Sequence, residues 1–593
     1  VTRSPADLAT RTLFGAPAAL GALLLVAGCT APADDDDSTP PVEEPTPEPV
    51  VYEGIFEVPD DPVVCADPVA GIDRFSEESQ ARGLIIEGGP PGGGGGDDDD
   101  DGPLFGSGLA GQALVAQDLD GDGDIDLAAA DFAPRTWLND GAGHFAPGPQ
   151  VPPRPDNGSL LVLAALDLDG DSLPELIGTL RPFDFADESG ILVWANEGGG
   201  NFGAAEFVSS GQPGPGGDPS SLAFADVDGD GDLDVHFVTR LAVEGTGGSW
   251  PERILLNDGG RFSADRYVEL VAYESWGVEA LVSAFTDRDG DGDQDLYVAG
   301  GAPEWAPPPD TPGCAFFRND GLDDDGLPIF VEDAAAVGMG NFFSAMGLDS
   351  ADFNQDGVLD YCLSDVGVPQ CFLSDGEGAW FEGGVGLLGL TVDEPVLPFP
   401  ATIGWSLDLR DLDNDGWLDL LQASAPDNTR TAEGVTRFPD LLWRGLPDGT
   451  FDDVTAEASF GTDDRHVGMV SADFDGNGWI DVLFQAQYFD DIPRLLMNAC
   501  GAEHWINLDF KGPPSNTEAI GARVEITYGE RTEIREVYAL RATGQAPSRV
   551  HMGLGDHEVA DVLVVWPDGV RSRVENLPVD RLVTVVHPDA IGD

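Results

Sequence analysis

From about Pro103 to Cys500 the chain alternates short apolar runs with polar, glycine-rich corners, and one pattern recurs. An apolar strand leads into a nine-residue aspartate-rich corner, and a second run such as Val235-His236-Phe237-Val238 leads out. Short runs bounded by Gly and Asp predict β-strands. Further on, a strand ends in Asn-Asp-Gly or a near equivalent and an aromatic follows. Examples run from Trp137 to Phe145, Trp194 to Phe202 and Leu256 to Phe262. Asn-Asp-Gly favours the positive φ angles of tight hairpins, and the aromatic is expected to fill the space between neighbouring units. Residues 501–593 alternate differently, with strands such as Ala522 to Tyr528 and Asp561 to Trp566, and predict a small β-sandwich or barrel. Residues 51–87 are expected to form a small ordered piece with a short helix around Ser76 to Arg82.

The corners carry the chemistry. The first is Asp118, Asp120, Asp122, Asp124 and Asp126 at alternate positions, and the second is Asp167, Asp169, Asp171, Leu173 and Glu175. The third is Asp226, Asp228, Asp230, Asp232 and Asp234, and the fourth Asp287, Asp289, Asp291, Asp293 and Asp295. Then come Asp352, Asn354, Asp356, Val358 and Asp360; Asp411, Asp413, Asp415, Trp417 and Asp419; and Asp473, Asp475, Asn477, Trp479 and Asp481. They start 49 to 65 residues apart. Seven units of this length match the four-stranded blades of a propeller. The expected fold is all-β: a seven-bladed β-propeller over 103–500, then the small domain over 501–593. After Asn498 the seventh unit lacks its own hairpin aromatic, so an N-terminal strand is expected to complete that sheet and close the ring.

Positions 1, 3 and 5 put three carboxylates on the inside of a tight turn, a Gly at position 6 permits the bend, and position 9 supplies a fourth carboxylate. Calcium takes six to eight hard oxygens, with a position-7 carbonyl and water completing the shell. Position 7 is Asp in three units but Leu173, Val358, Trp417 or Trp479 in the others, as suits a carbonyl ligand. Two carboxylates about 5 Å apart repel by roughly 3 kcal/mol at an effective dielectric of 20, so a cation-free cluster opposes folding. An EF-hand is excluded, because position 12 is Ala129, Phe237 or Val298 instead of Glu. Up to seven calcium sites are expected. The second is weakened by Ser172, Pro174 and Glu175, the fifth and seventh are lowered in charge by Asn354 and Asn477, and the first, third and fourth are expected to bind tightest.

Charge sharpens this picture. Lys and Arg number 28 against 109 Asp and Glu, a net charge of −81. Such a surface repels phosphate backbones, so nucleic acid is not an expected partner. Arg3 and Arg11 precede an apolar stretch from Leu13 to Ala27 that ends Leu25-Val26-Ala27-Gly28-Cys29, similar to a bacterial lipobox. Residues 1–28 are therefore expected to be a lipoprotein signal peptide and Cys29 the lipidated residue, so that the N-terminal lipid is the membrane contact. Residues 29–102 read as an acidic Pro/Gly-rich tether with a short N-terminal segment. The expected location is exported and lipid-anchored in the bacterial cell envelope, at the outer membrane or cell surface. There disulfides persist. Cys362 and Cys371, nine positions apart across a strand–turn–strand, are the expected pair. Cys65 with Cys500 would tie the start of the folded region to its end, and spacing alone does not fix the connectivity.

The loops with their Asn-Asp-Gly hairpins resemble FG-GAP/VCBS repeats, the blades of integrin α-subunit propellers. Residues 501–593 resemble the ASPIC/UnbV domain of cartilage acidic protein and its bacterial relatives. The matching residues are His504-Trp505-Ile506, Ser515-Asn516, Ala519 to Val524, Gly553-Leu554-Gly555 and Val565-Trp566-Pro567-Asp568-Gly569. Glu503 departs from the Asn that often precedes His-Trp. The resemblance implies an extracellular, calcium-binding, non-catalytic protein. No GxSxG elbow, Walker loop or HExxH pair occurs, and His551 and His557 are expected in a turn. The expected activity is adhesion or ligand binding to an extracellular protein or polysaccharide. Loops such as Gly300 to Pro312 and Pro426 to Pro439 are candidate contacts. A polysaccharide lyase or hydrolase and a purely structural envelope protein are the alternatives.

Overall fold

The computed structural model describes residues 51–84 except 73, then 113–130, 134–153, 158–182, 189–210, 218–240, 252–270, 279–301, 313–341, 345–391, 403–425, 439–461, 466–486, 493–540 and 544–590. The export signal, Cys29, the tether and the Gly/Asp run before Pro103 lie outside these residues.

Among the described residues, strands of three to nine residues form seven four-stranded antiparallel sheets. The first comprises Ala113–Gln117, Asp126–Ala130, Pro134–Asn139 and Phe145–Pro147. Innermost strands are largely buried: Ala113 to Ala116 are all buried, and so are polar residues such as Asp349, Asp408 and Ser471 on the innermost strands of other sheets. Each neighbours the first strand of the next sheet, and His466–Ala472 of the seventh lies beside Ala113–Gln117 of the first, which closes the ring. Closure comes from the N-terminal side: Phe75–Glu77 pairs antiparallel with Arg494–Asn498 as the outer strand of the seventh sheet. The helix expected around Ser76 to Arg82 is instead this strand followed by turns, since pairing with the open edge at Leu496 and Met497 outweighs local helix propensity.

Hairpin aromatics fill the joints between sheets. Phe145 packs edge-on against Phe474, from the second position of the seventh aspartate loop, with ring centroids 5.6 Å apart. Phe451 meets Phe353 in the same way at 6.0 Å.

The C-terminal region is two sheets sharing one core. Arg523–Tyr528, Arg531–Glu536, Val559–Val565 and Arg571–Pro578 form one, and His504–Lys511, Val550–Gly555 and Arg581–Val586 the other. Ile506, Leu508, Val524, Ile526, Val562, Val564 and Trp566 are buried between them. Val51–Glu53 adds an edge strand to the first and Ile55–Glu57 to the second. The N-terminal segment thus serves both halves before reaching the seventh sheet, and Cys65 is disulfide-bonded to Cys500 on the way. Glu503 pairs with the buried Arg74 of this segment at 3.3 Å. Cys362 is bonded to Cys371 across paired strands, and Cys314 is a buried thiol.

Candidate metal centres

Each aspartate loop joins the first and second strands of its sheet. Its first carboxylate organises the turn: Asp226 accepts from the Gly229 and Gly231 N–H groups at 2.7 and 2.9 Å, and Asp118 from Gly121 and Gly123 at 2.8 and 2.9 Å. Position 6 needs a left-handed backbone, with φ 97° at Gly231, and the second loop holds Ser172 in that region at 71°.

The position-9 carboxylate has a structural duty in all seven units. One oxygen of Asp126 accepts from Leu119 N–H at 3.0 Å and the other from Asn139 N–H, on the third strand, at 2.7 Å. Glu175, Asp234, Asp295, Asp360, Asp419 and Asp481 repeat the pattern. Burial raises these acids, Asp126, Glu175 and Asp360 to about 7 and Asp234 and Asp295 to about 8. In the sixth loop burial, reinforced by repulsion from Asp413, lifts Asp411 and Asp419 well above the ordinary range.

Positions 3 and 5 complete the clusters. Asp120 and Asp122 each give one oxygen to the N–H two residues on, at 3.2 and 3.0 Å. In the first, third and fourth loops, oxygens of positions 1, 3 and 5 lie within 4.8 Å of one another; in the second and sixth, those of positions 1, 3 and 9 do. These clusters can hold a metal ion. The donor set fits one: Asp411, Asp413 and Asp419 are at most 2% exposed, and Asp413 Oδ1 has no hydrogen-bond partner. A buried anionic oxygen left bare is costly unless a cation meets it. Position-7 side chains are engaged elsewhere, Asp232 with Gly259 N–H at 2.6 Å and Trp417 beneath the Arg531 guanidinium at 3.6 Å.

The loops are not alike. In the third, Arg266 Nη2 lies 2.9 Å from Asp228 Oδ2 and 3.3 Å from Asp230 Oδ2. In the sixth, Arg444 Nη2 lies 2.6 and 2.7 Å from Oδ2 of Asp413 and Asp415. In the fifth, Asn354 Nδ2 donates to Asp356 Oδ2 at 3.1 Å.

Sequence reasoning missed two features. The hairpin asparagine is a buried cross-sheet tie: Asn139 Nδ2 donates to Ile125 O in its own loop and Phe474 O in the neighbouring one, at 3.1 and 2.8 Å. Asn196, Asn319 and Asn498 do the same. The spacing of Asn to the loop was visible, but its partner is not local. Second, the C-terminal domain sits on all seven loops. Arg549 donates to Gly123 O, Thr517 to Asp167 Oδ2, Arg523 to Gly357 O and Tyr528 to Gly416 O. Ser515 abuts Gly231, Asp287 N–H donates to Glu536, and Trp505 lies on Gly478. Gln545 reaches the centre of the ring, exchanging hydrogen bonds with Leu114, Ala116 and Ala165. His551, expected in a turn, lies on a strand between Asn507 and Asn414, and burial lowers it to about 3.

Family models match this architecture in two parts: FG-GAP-like repeat over residues 111–178, 184–237 and 411–484, and ASPIC and UnbV over 512–592. The chain carries FG-GAP-like repeats arranged as a propeller, and an ASPIC and UnbV domain follows them. Among curated proteins none matches it significantly. Similar solved structures include an Agrocybe aegerita lectin that recognises non-reducing terminal N-acetylglucosamine, with 18% identity, 59% of this chain and 82% of that one covered, and TM-score 0.37. A Bacillus licheniformis rhamnogalacturonan lyase aligns with 14% identity, 80% and 91% coverage and TM-score 0.34. A Penicillium chrysogenum α-L-arabinanase aligns with 12% identity, 53% and 88% coverage and TM-score 0.33. At such scores the likeness says nothing of what this chain binds.

Proposed function

We propose that the chain is a calcium-binding module of the cell envelope that holds an extracellular protein or polysaccharide without catalysing a reaction. The observation that carries this is the convergence of carboxylates at matching positions of successive loops, with a bare oxygen on buried Asp413. Positions 1, 3, 5 and 9 would supply oxygens to the ion. An all-oxygen, carboxylate-rich donor set suits calcium, whereas magnesium demands compact octahedral geometry and keeps its waters. The ion would neutralise the clusters and so rigidify the sheets.

A binding role is supported by the covering of the loop face. A cavity between the C-terminal domain and the inner strands, lined by Arg410, Arg535, Tyr538 and His551, has room of about 30 Å³ for water. The partner would meet the other ends of the sheets. The contact loops expected near Trp305 and after Pro426 lie outside the described residues. Export and a lipid tether at Cys29 rest on the sequence before it, and the two disulfides agree with an oxidising compartment. Among the described residues no helix is long and apolar enough to cross a membrane.

The test is a glycan array and an envelope pull-down, each with calcium and with chelator, beside product detection on candidate polysaccharides. Calcium-dependent capture without released oligosaccharides supports the reading; released oligosaccharides overturn it in favour of an enzyme.

A further inference from the structure

In the third and sixth loops one oxygen of position 3 and one of position 5 converge on a single point. A single guanidinium nitrogen already stands there. Arg266 Nη2 and Arg444 Nη2 bridge the same two positions through the same oxygens, Oδ2 of Asp228 and Asp230 and Oδ2 of Asp413 and Asp415. The two arginines arrive from different places. Arg444 is on the third strand of its sheet, paired with Asp452. Arg266 follows the hairpin and is held by a second bond, Nη1 to Asn257 O at 2.9 Å. In the first and second loops no guanidinium among the described residues is paired with positions 3 and 5.

The fourth sheet supplies an internal control. Arg318 holds the same strand position as Arg444: each directly precedes the residue whose N–H meets the position-9 carboxylate, Asn319 and Gly445. Yet Arg318 turns away, its Nε donating to Asp320 Oδ1 at 2.6 Å and its Nη2 to Asp320 Oδ2 at 3.3 Å. Two residues beyond Arg444 stands Leu446, with no carboxylate to capture it. The hairpin sequence therefore decides whether the guanidinium serves the turn or the loop.

We propose that Arg266 and Arg444 are built-in cations of the third and sixth loops, so that these two loops bind calcium more weakly than the first; the fourth is not a clean reference, because Arg288 Nε lies 3.5 Å from its position-9 Asp295 Oδ2. This rests on the calcium reading above. A guanidinium hydrogen-bonded to two carboxylates supplies part of the charge and donor pairing that an ion would bring, and an entering ion must displace it. It also changes the ranking expected from charge count alone, which placed the third loop among the tightest.

The test is equilibrium dialysis of the full chain against calcium at a free concentration of about 0.1 mM, within the range of extracellular modules. Replacing Arg266→Met and Arg444→Met together is expected to tighten two sites about tenfold and raise the ions bound per chain, since charge-assisted hydrogen bonds no longer compete. Arg318→Met is expected to leave the count unchanged. If the Met pair folds poorly by circular dichroism, Arg266→Lys with Arg444→Lys, which keeps charge but loses the planar fork, is expected to give a smaller gain. A wild-type chain that binds calcium with no gain in either pair overturns the proposal alone. A wild-type chain that binds none overturns the calcium reading and the proposal with it.

Discussion

The side-chain amide of Asn139 donates to the carbonyl of Phe474, 335 positions later in the chain, and so bolts the first sheet to the seventh. The same amide holds Ile125 O of its own loop. Ring closure therefore rests on the aspartate loops as well as on the N-terminal strand, and their shape and the ring's integrity are one problem.

Asn139→Leu is accordingly expected to cost about 1–3 kcal/mol, because two buried carbonyls lose their donor. His144→Ala, on the exposed tip of the same hairpin, is expected to change stability by less than about 0.5 kcal/mol. Urea unfolding of both variants checks this, and equal midpoints would refute the tie.

Metal removal has a sign that one substitution can reverse. Asp120 is raised by burial and by the neighbouring Asp122 charge, so a cation-free first loop carries internal repulsion. Asp122→Asn relieves it and is expected to leave the melting temperature in chelator unchanged or higher. In millimolar calcium the same variant is expected to melt below wild type, having lost a ligand charge. Wild type should itself melt lower after thorough demetallation. A variant that melts with wild type in millimolar calcium, and a wild type unmoved by demetallation, would show that the loops fold without an ion.

The repeat was legible because its information is local. Alternation of apolar runs with aspartate corners, and spacing near 60 residues, are enough to place the strands and loops of seven sheets. The missing strand of the seventh sheet was legible too, since after Asn498 the pattern stops one strand short; that Phe75–Glu77 fills it was not, because three residues carry no usable period. The Asn tie escaped because one of its partners is set by ring geometry, and the arginines because their carboxylates lie on another segment of the same sheet; only Arg318 and Asp320 are near enough in sequence to be guessed. Covering of the loop face by residues 504–555 could not be read either. Gly478 and Gly231 look like turn glycines, yet each also makes room for a side chain of the C-terminal domain.

That second demand is testable. The indole of Trp505 lies so close to Gly478 that any Cβ there would overlap the ring, and the backbone at this point has φ 86°. Gly478→Ala is expected to cost about 1–3 kcal/mol through overpacking and strain, and to change the fluorescence of buried Trp505. Gly229→Ala has the same left-handed strain, φ 72°, with open space around it. The difference between the two variants isolates the domain contact, and identical losses would remove it.

The two disulfides should contribute unequally. Cys362–Cys371 closes nine residues within one hairpin, whereas Cys65–Cys500 closes 435 and joins the N-terminal segment to the point where the propeller ends and the C-terminal domain begins. If constraint of the unfolded chain dominates, the short bridge is worth about 3 kcal/mol and the long one about 6 kcal/mol as an upper estimate. The long bridge also anchors a segment whose strands are only three residues each, paired at Val51–Glu53, Ile55–Glu57 and Phe75–Glu77. Such short edge strands hold poorly once untethered. Cys65→Ser with Cys500→Ser is therefore expected to lower the unfolding midpoint more than Cys362→Ala with Cys371→Ala. It should also make residues 51–84 cleavable by protease under native conditions. A double variant that keeps this segment protected would mean that strand pairing alone closes the ring.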